Sequence, residues 1–255
     1  MRLSASLAIM IASAAITLSA ICNPVEAADL RISGAATVAR GIIIPNQAAI
    51  EQETGLKLIV TVNGDGNGLK DLYAGRSDVA MVAAPMKSSE QTINQATPGA
   101  VSVADFQLSP VGTAIISFVV NPANPVKSLT APQLRDIFTG KITSWKAVGG
   151  NDTPIVVVAE VPGLGSRTSV EVGFLGGEPI TANARTMQAL VQVVQVVAQL
   201  PNAITYGNGV SITGGVAVIP GIEVEQHLGL ATNGAPSADA QKLMVAVAKY
   251  GAAIR

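Results

Sequence analysis

Cysteine occurs only at Cys22, histidine only at His227 and tryptophan only at Trp145, and charged side chains make up just 13% of the 255 residues. Cys22 lies in an N-terminal stretch that reads as a removable leader. The mature chain is therefore expected to hold no disulfide, no thiol nucleophile and no thiolate metal ligand. A zinc site would then need more than one histidine. A serine-hydrolase triad would have to use His227, which stands among polar neighbours in "EVEQHLGL" with nothing paired to it in sequence. With 16 basic against 17 acidic residues the net charge is −1, which leaves no basic face for a nucleic acid. No metal, cofactor or catalytic residue is predicted, and the chain does not read as an enzyme. After the leader no apolar run reaches spanning length, because "ALVQVVQVVAQL" is short and broken by glutamines.

The leader itself is legible. Met1-Arg2 supplies one positive charge, residues 3–21 are small or apolar, and "VEAAD" places Val25 and Ala27 for cleavage after Ala27. Ile21 before Cys22 argues against a lipidated cysteine. Export predicts a periplasmic protein. Residues 28–255 are enough to bury a core without disulfides, as one large domain or two lobes.

Short apolar strands alternate with helical patterns. "DLRISG", "LKLIVTVNG" and "SDVAMVAAP" read as strands, with a helix closed by Gly55 after the first and a short helix after the second. Pro45 falls inside the first helical pattern, so that helix is expected to kink or to begin near Pro45. "PVGTAIISFVVNPANP" is a long β run. "TAPQLRDIFTG" is a helix with Thr130 as N-cap and Gly140 as stop. "TPIVVVAE" and "NAITYGNGV" are further strands, with helices over about 183–199 and 236–250. The pattern predicts an α/β protein of mostly parallel sheets with helices on both faces, built as two lobes around a cleft. Residues 28–110 with about 211–255 form lobe I, and 111–210 form lobe II.

Three turns follow strands and lead into helices: "SGAATV" (33–38), "NGDGNGLK" (63–70) and "GLGSRTS" (163–169). Free N–H groups and the helix dipole suit such ends to an anion, and glycine lets the anion approach the backbone. "NGDGNG" also has the opening of a calcium loop, but its twelfth position is Ala74 and no bidentate carboxylate is available. Carboxylates otherwise look scattered, and Trp145 reads as a packing anchor.

The stretches "ISGAATVA", "VTVNGDGNGLKDLYAGRSDVAMVAAPMK", "VVNPANPVKSLTAPQLRDIFTGKITSWKAVGGNDTPIVVV" and "PNAITY" resemble the phosphate-binding proteins of bacterial ABC phosphate importers, in order and spacing. The resemblance covers about residues 30–210. It implies the type II periplasmic-binding-protein fold, closure over a small oxyanion such as phosphate, and delivery by a monomer to an ABC permease in the inner membrane. Ligand contacts carried over on this resemblance are Ala36 and Thr37, Gly66 and Asn67, Ala84, and Gly165, Ser166 and Arg167. The pattern departs from the family's in three places. Ala84 stands where the family has an aspartate, Glu160 where it has an arginine, and Leu164 where it has a serine. A carboxylate at 160 facing the cleft would oppose a dianion. The alternatives are the same fold with a changed, less charged or amine-bearing ligand, or a binding protein outside transport.

Overall fold

The computed structural model describes residues 28–251 and Ile254; the predicted leader lies outside the described residues. Strand β1 (Ala28–Gly34) leads into a continuous helix made of α1 (Ala36–Val38), a π-helical turn (Ala39–Ile43) and α2 (Ile44–Thr54). Pro45 neither breaks this helix nor starts it. A proline nitrogen cannot donate to the carbonyl four residues back, and its ring crowds that carbonyl. The widened π turn immediately before it absorbs the mismatch, and Asn46 Nδ2 donates to Ile42 O at 2.8 Å. The helix stops at Gly55 as expected.

Then come β2 (Leu56–Val62), α3 (Asp65–Tyr73), β3 (Val79–Val82), α4 (Met86–Ala96) and β4 (Phe106–Val120). Next follow α5 (Ala131–Phe138), β5 (Val156–Glu160), α6 (Gly165–Gly173), β6 (Arg185–Met187) and α7 (Leu190–Gln199). Strands β7 (Ala203–Gly207) and β8 (Ala217–Asn233) and helix α8 (Ala238–Ala248) complete the described chain. Residues 185–187, expected to be helical, pair with β5 as a strand instead.

The eight strands form one sheet in the order β2-β1-β3-β8-β4-β7-β5-β6. The sheet is mixed rather than mostly parallel. Strands β1, β2 and β3 run parallel, as do β5, β6 and β7. Between these groups β4 and β8 run antiparallel from Phe106↔Asn233 to Val120↔Ala217, with irregularities at Pro110/Gly112 and Ser117/Val119. One apolar core gathers Leu30, Ile32, Ile42, Met81 and Leu243 around the first group. A second gathers Phe118, Phe138, Trp145, Val157 and Tyr206 around the other. Burying one large apolar side chain contributes about 1.5–3 kcal/mol, so each core can hold its own helices. Trp145 is 1% exposed and its Nε1 donates to Asn202 O at 2.9 Å, which fits a packing anchor.

This topology decides where a solute can sit. β1 and β2 run opposite to β5, and their carboxyl ends face each other over the middle of the long β4–β8 pair, where the helices that follow begin. Strand ends that face helix starts leave free amide groups around a crevice.

Candidate functional site

A cavity of ≈ 650 Å³ opens where α1, α3 and α6 begin. Of the residues expected to touch a ligand, Ala36, Thr37, Gly66, Asn67, Gly165 and Ser166 line it, whereas Ala84 and Arg167 do not. Arg167 is buried and committed elsewhere. Its Nε donates to Glu171 Oε1 at 2.8 Å and its Nη1 to the Glu160 carbonyl at 2.8 Å. Arg40 and Lys70 are the basic side chains of the cavity wall.

The inner end is governed by Asp65, the first residue of α3, which is 2% exposed. Its carboxylate accepts the Ala83 N–H at 2.5 Å. The N–H groups of Gly165, Ala84 and its own residue also favour its charged form. Helix α6 has no side-chain cap from its N-cap residue, Leu164; the carboxylate of Asp65, from another part of the chain, lies against its first residue. A Cβ at residue 165 would lie 2.3 Å from Asp65 Oδ2, so only glycine admits this approach. At Gly68 a Cβ would lie 2.6 Å from the Gly34 Cα, which holds the α3 start against the end of β1. Burial pushes the Asp65 carboxyl up to about 6, against the pull of its four donors.

Glu160 ends β5 beside this carboxylate and is 5% exposed. Its N–H donates to Tyr206 Oη at 3.3 Å, while its Oε2 is buried without a hydrogen-bond partner. Burial first, and the charge of Asp65 second, push its carboxyl up to about 8. This wall therefore presents two carboxyls, one of which bonds the Ala83 amide.

The wall around Thr37 and Ser166 has the opposite character. Val210 N–H donates to Asn208 Oδ1 at 3.2 Å, which fixes the orientation of that amide. Asn208 Nδ2 then donates to Thr37 Oγ1 at 3.2 Å and, more weakly, to Gln226 Oε1 at 3.4 Å. Gln226 Nε2 in turn donates to Ser166 Oγ at 3.4 Å. Asn208, Gln226 and Ser166 are all buried. Each hydroxyl oxygen thus accepts from an amide behind it. Among the described residues neither Thr37 nor Ser166 spends its proton, and each can donate it to a bound oxygen.

Asp65 had been read only as part of a failed calcium loop, and Asn208 and Gln226 not at all. An acid between two glycines at a helix start was the available signal for Asp65. For Asn208 and Gln226 there was none, since their partners lie 18 to 171 residues away. His227 stays outside the site, its side chain 80% exposed.

The chain matches the family model of the PBP superfamily domain over residues 23–247. It is 29% identical over 179 residues to the phosphate-binding protein PstS of Bacillus subtilis, a match taking in 70% of this chain and 56% of that protein. To the protein SphX of Synechococcus elongatus it is 27% identical, over 49% of this chain and 39% of that protein. The chain thus spans about half the length of the curated relatives it matches, or less. Among solved structures, a Clostridium perfringens protein assigned as a phosphate ABC transporter substrate-binding protein, with bound phosphate, superposes with a TM-score of 0.71 at 24% identity. That match covers 86% of this chain and 92% of that one. An ABC-type phosphate transport receptor from Vibrio cholerae gives 0.65 at 23% identity, over 86% and 93%. A regulatory domain of OxyR2 from Vibrio vulnificus gives 0.60 at 17%, over 88% and 96%. These structural likenesses show a common fold; the chemistry of the cavity has to be read from its own residues.

Proposed function

The chain belongs to the PBP superfamily, with the type II periplasmic-binding-protein fold, and from that premise we propose that it captures a small solute through an oxyanionic group and delivers it to an ABC importer. The cavity is the capture site, between a lobe of residues 28–110 with 211–255 and a lobe of 111–210. Capture takes place outside the cytoplasmic membrane. Among the described residues no helix is long and apolar enough to cross a membrane. The curated relative named phosphate-binding protein supports an oxyanion as the recognised group.

One observation carries this reading. Thr37 and Ser166 both line one cavity, and the Asn208–Gln226 relay leaves both hydroxyl protons to a ligand. A hydroxyl pair with its acceptor side already satisfied favours a ligand that brings lone pairs. Arg40 and Lys70 line the same cavity and add the positive charge that an oxyanion needs. Handover needs only that closed and open arrangements differ in their contacts with the solute.

The test is calorimetry on protein freed of carried solute by unfolding and refolding. The titrants are inorganic phosphate and small phosphate monoesters, including ethyl phosphate and 2-aminoethyl phosphate. One-to-one binding is expected, weakened about tenfold by Thr37→Val or Ser166→Ala. No heat from folded protein with any of these at millimolar concentration would sink the oxyanion reading.

A further inference from the structure

Two side-chain oxygens of cavity-lining residues are buried and unpartnered; one is an amide acceptor and the other becomes an acceptor when its carboxyl ionises. They are Glu160 Oε2 and Asn63 Oδ1. The Asn63 amide is oriented by its Nδ2, which donates to Asp71 Oδ2 at 2.8 Å. Buried polar atoms almost always have partners, and an orphan in a ligand cavity marks a bond that the ligand completes.

Charge points the same way. Asp65 holds the Ala83 amide and lies against Gly165, so a second anion reaching that end would meet a carboxylate. The groups facing Glu160 are Asp65 from α3 and Arg167 from α6, with the Tyr206 hydroxyl of β7 against its N–H. Arg167 bonds the Glu160 carbonyl and Glu171 rather than either cavity-wall carboxyl, so its charge offsets only part of theirs. Arg40 and Lys70 complete the charged lining.

We propose that Asp65, Glu160 and Asn63 form a subsite for a primary ammonium group, and that the captured solute is a small zwitterion carrying an amine beside its oxyanion. This rests on the reading of the cavity as a solute site. An ammonium is compact and offers three donors with no acceptor, which suits a wall of unsatisfied oxygens. The oxyanion is then met by the hydroxyls of Thr37 and Ser166 and the charges of Arg40 and Lys70.

The probe pair is 2-aminoethyl phosphate and ethyl phosphate, which differ in the amine, with inorganic phosphate as the bare anion. Titration at neutral pH is expected to give an advantage of about tenfold or more to the aminated ester. Glu160→Gln should remove most of that advantage. Binding should also release protons, measured by repeating the titration in buffers of different ionisation enthalpy. The Glu160 carboxyl, near 8 when empty, must lose its proton to meet the ammonium, while an amine titrating near about 10 keeps its own. Affinity for the aminated ester should therefore rise between about pH 6 and about pH 8.

Equal affinity for the two esters would overturn the ammonium subsite and leave solute capture standing. So would proton uptake with affinity falling over that range, because a protonated Glu160 would then be donating to the oxyanion. Failure of all three probes to bind folded protein would overturn both readings. The proton count is made on the unaltered protein, so it holds even where Glu160→Gln does not fold.

Discussion

Helices α5 and α6 begin in opposite ways. At α5 the cap is local: Thr130 Oγ1 accepts the Gln133 N–H at 3.3 Å, and Gln133 Oε1 accepts the Thr130 N–H at 2.9 Å. At α6 the N-cap residue is Leu164, which has no polar side chain to offer, and a carboxylate 100 residues earlier in sequence lies against Gly165 instead. The first arrangement stabilises one helix. The second also stitches the start of α3 to the start of α6 across the cavity, and it fills the place where a bound anion would sit. A helix start that recruits its counter-charge from elsewhere gives up anion binding and gains a tertiary tie.

The difference can be tested by titration, because one cap carries an ionisable group and the other does not. Asp65 and Glu160 both have folded-state values above their ordinary ones of 3.8 and 4.5. The folded protein therefore binds more protons than the unfolded chain, and stability falls as pH rises. The loss runs from about 4 through the folded values of about 6 and about 8. Chemical denaturation across that range is expected to show a loss of up to about 8 kcal/mol. Glu160→Gln should flatten most of the slope; an unchanged slope would remove Glu160 from the account.

Gly165→Ala forces a methyl group into the Asp65 carboxylate and should cost about 3 kcal/mol, read as a lower urea midpoint. A wild-type midpoint would mean that the carboxylate does not cap α6. Asp65→Asn keeps the shape but replaces one acceptor oxygen with a donor amide. It should cost about 2 kcal/mol and let the Glu160 carboxyl drop back toward its ordinary value in an NMR titration. Thr130→Ala is the control for a local cap, with a cost of about 1 kcal/mol that does not vary with pH.

The same contrast explains what could be read in the sequence. The α5 cap was legible because "TAPQ" carries donor and acceptor within four residues. Gly55 and Gly140 were legible as stops, since each has the positive φ that ends a helix. The fold followed from the alternation of strand and helix patterns and from the resemblance over residues 30–210. Strand β8 was not foreseen. Its residues alternate weakly because it changes neighbours along its length, pairing with β3 at one end and with β4 throughout. At the site, the three glycine turns correctly marked the cavity. The inference that Arg167 would face a ligand failed, because a position after a glycine loop says nothing of which way a long side chain turns. Here Glu171, one helical turn on, draws the guanidinium inward. The Asp65–Glu160 pairing depends on how two strand ends meet, and no local pattern encodes that.

Strand β8 also sets the order of assembly. It lies between β3 and β4 in the sheet, yet it starts only at Ala217. Until those residues arrive, β3 has an open edge and β4 lacks its longest partner, so the sheet cannot close from its early parts alone. Folding should be governed by this late, long-range pairing and be slow for a chain of this size. Fragments ending before residue 217 should stick to one another through the bare edges of β3 and β4.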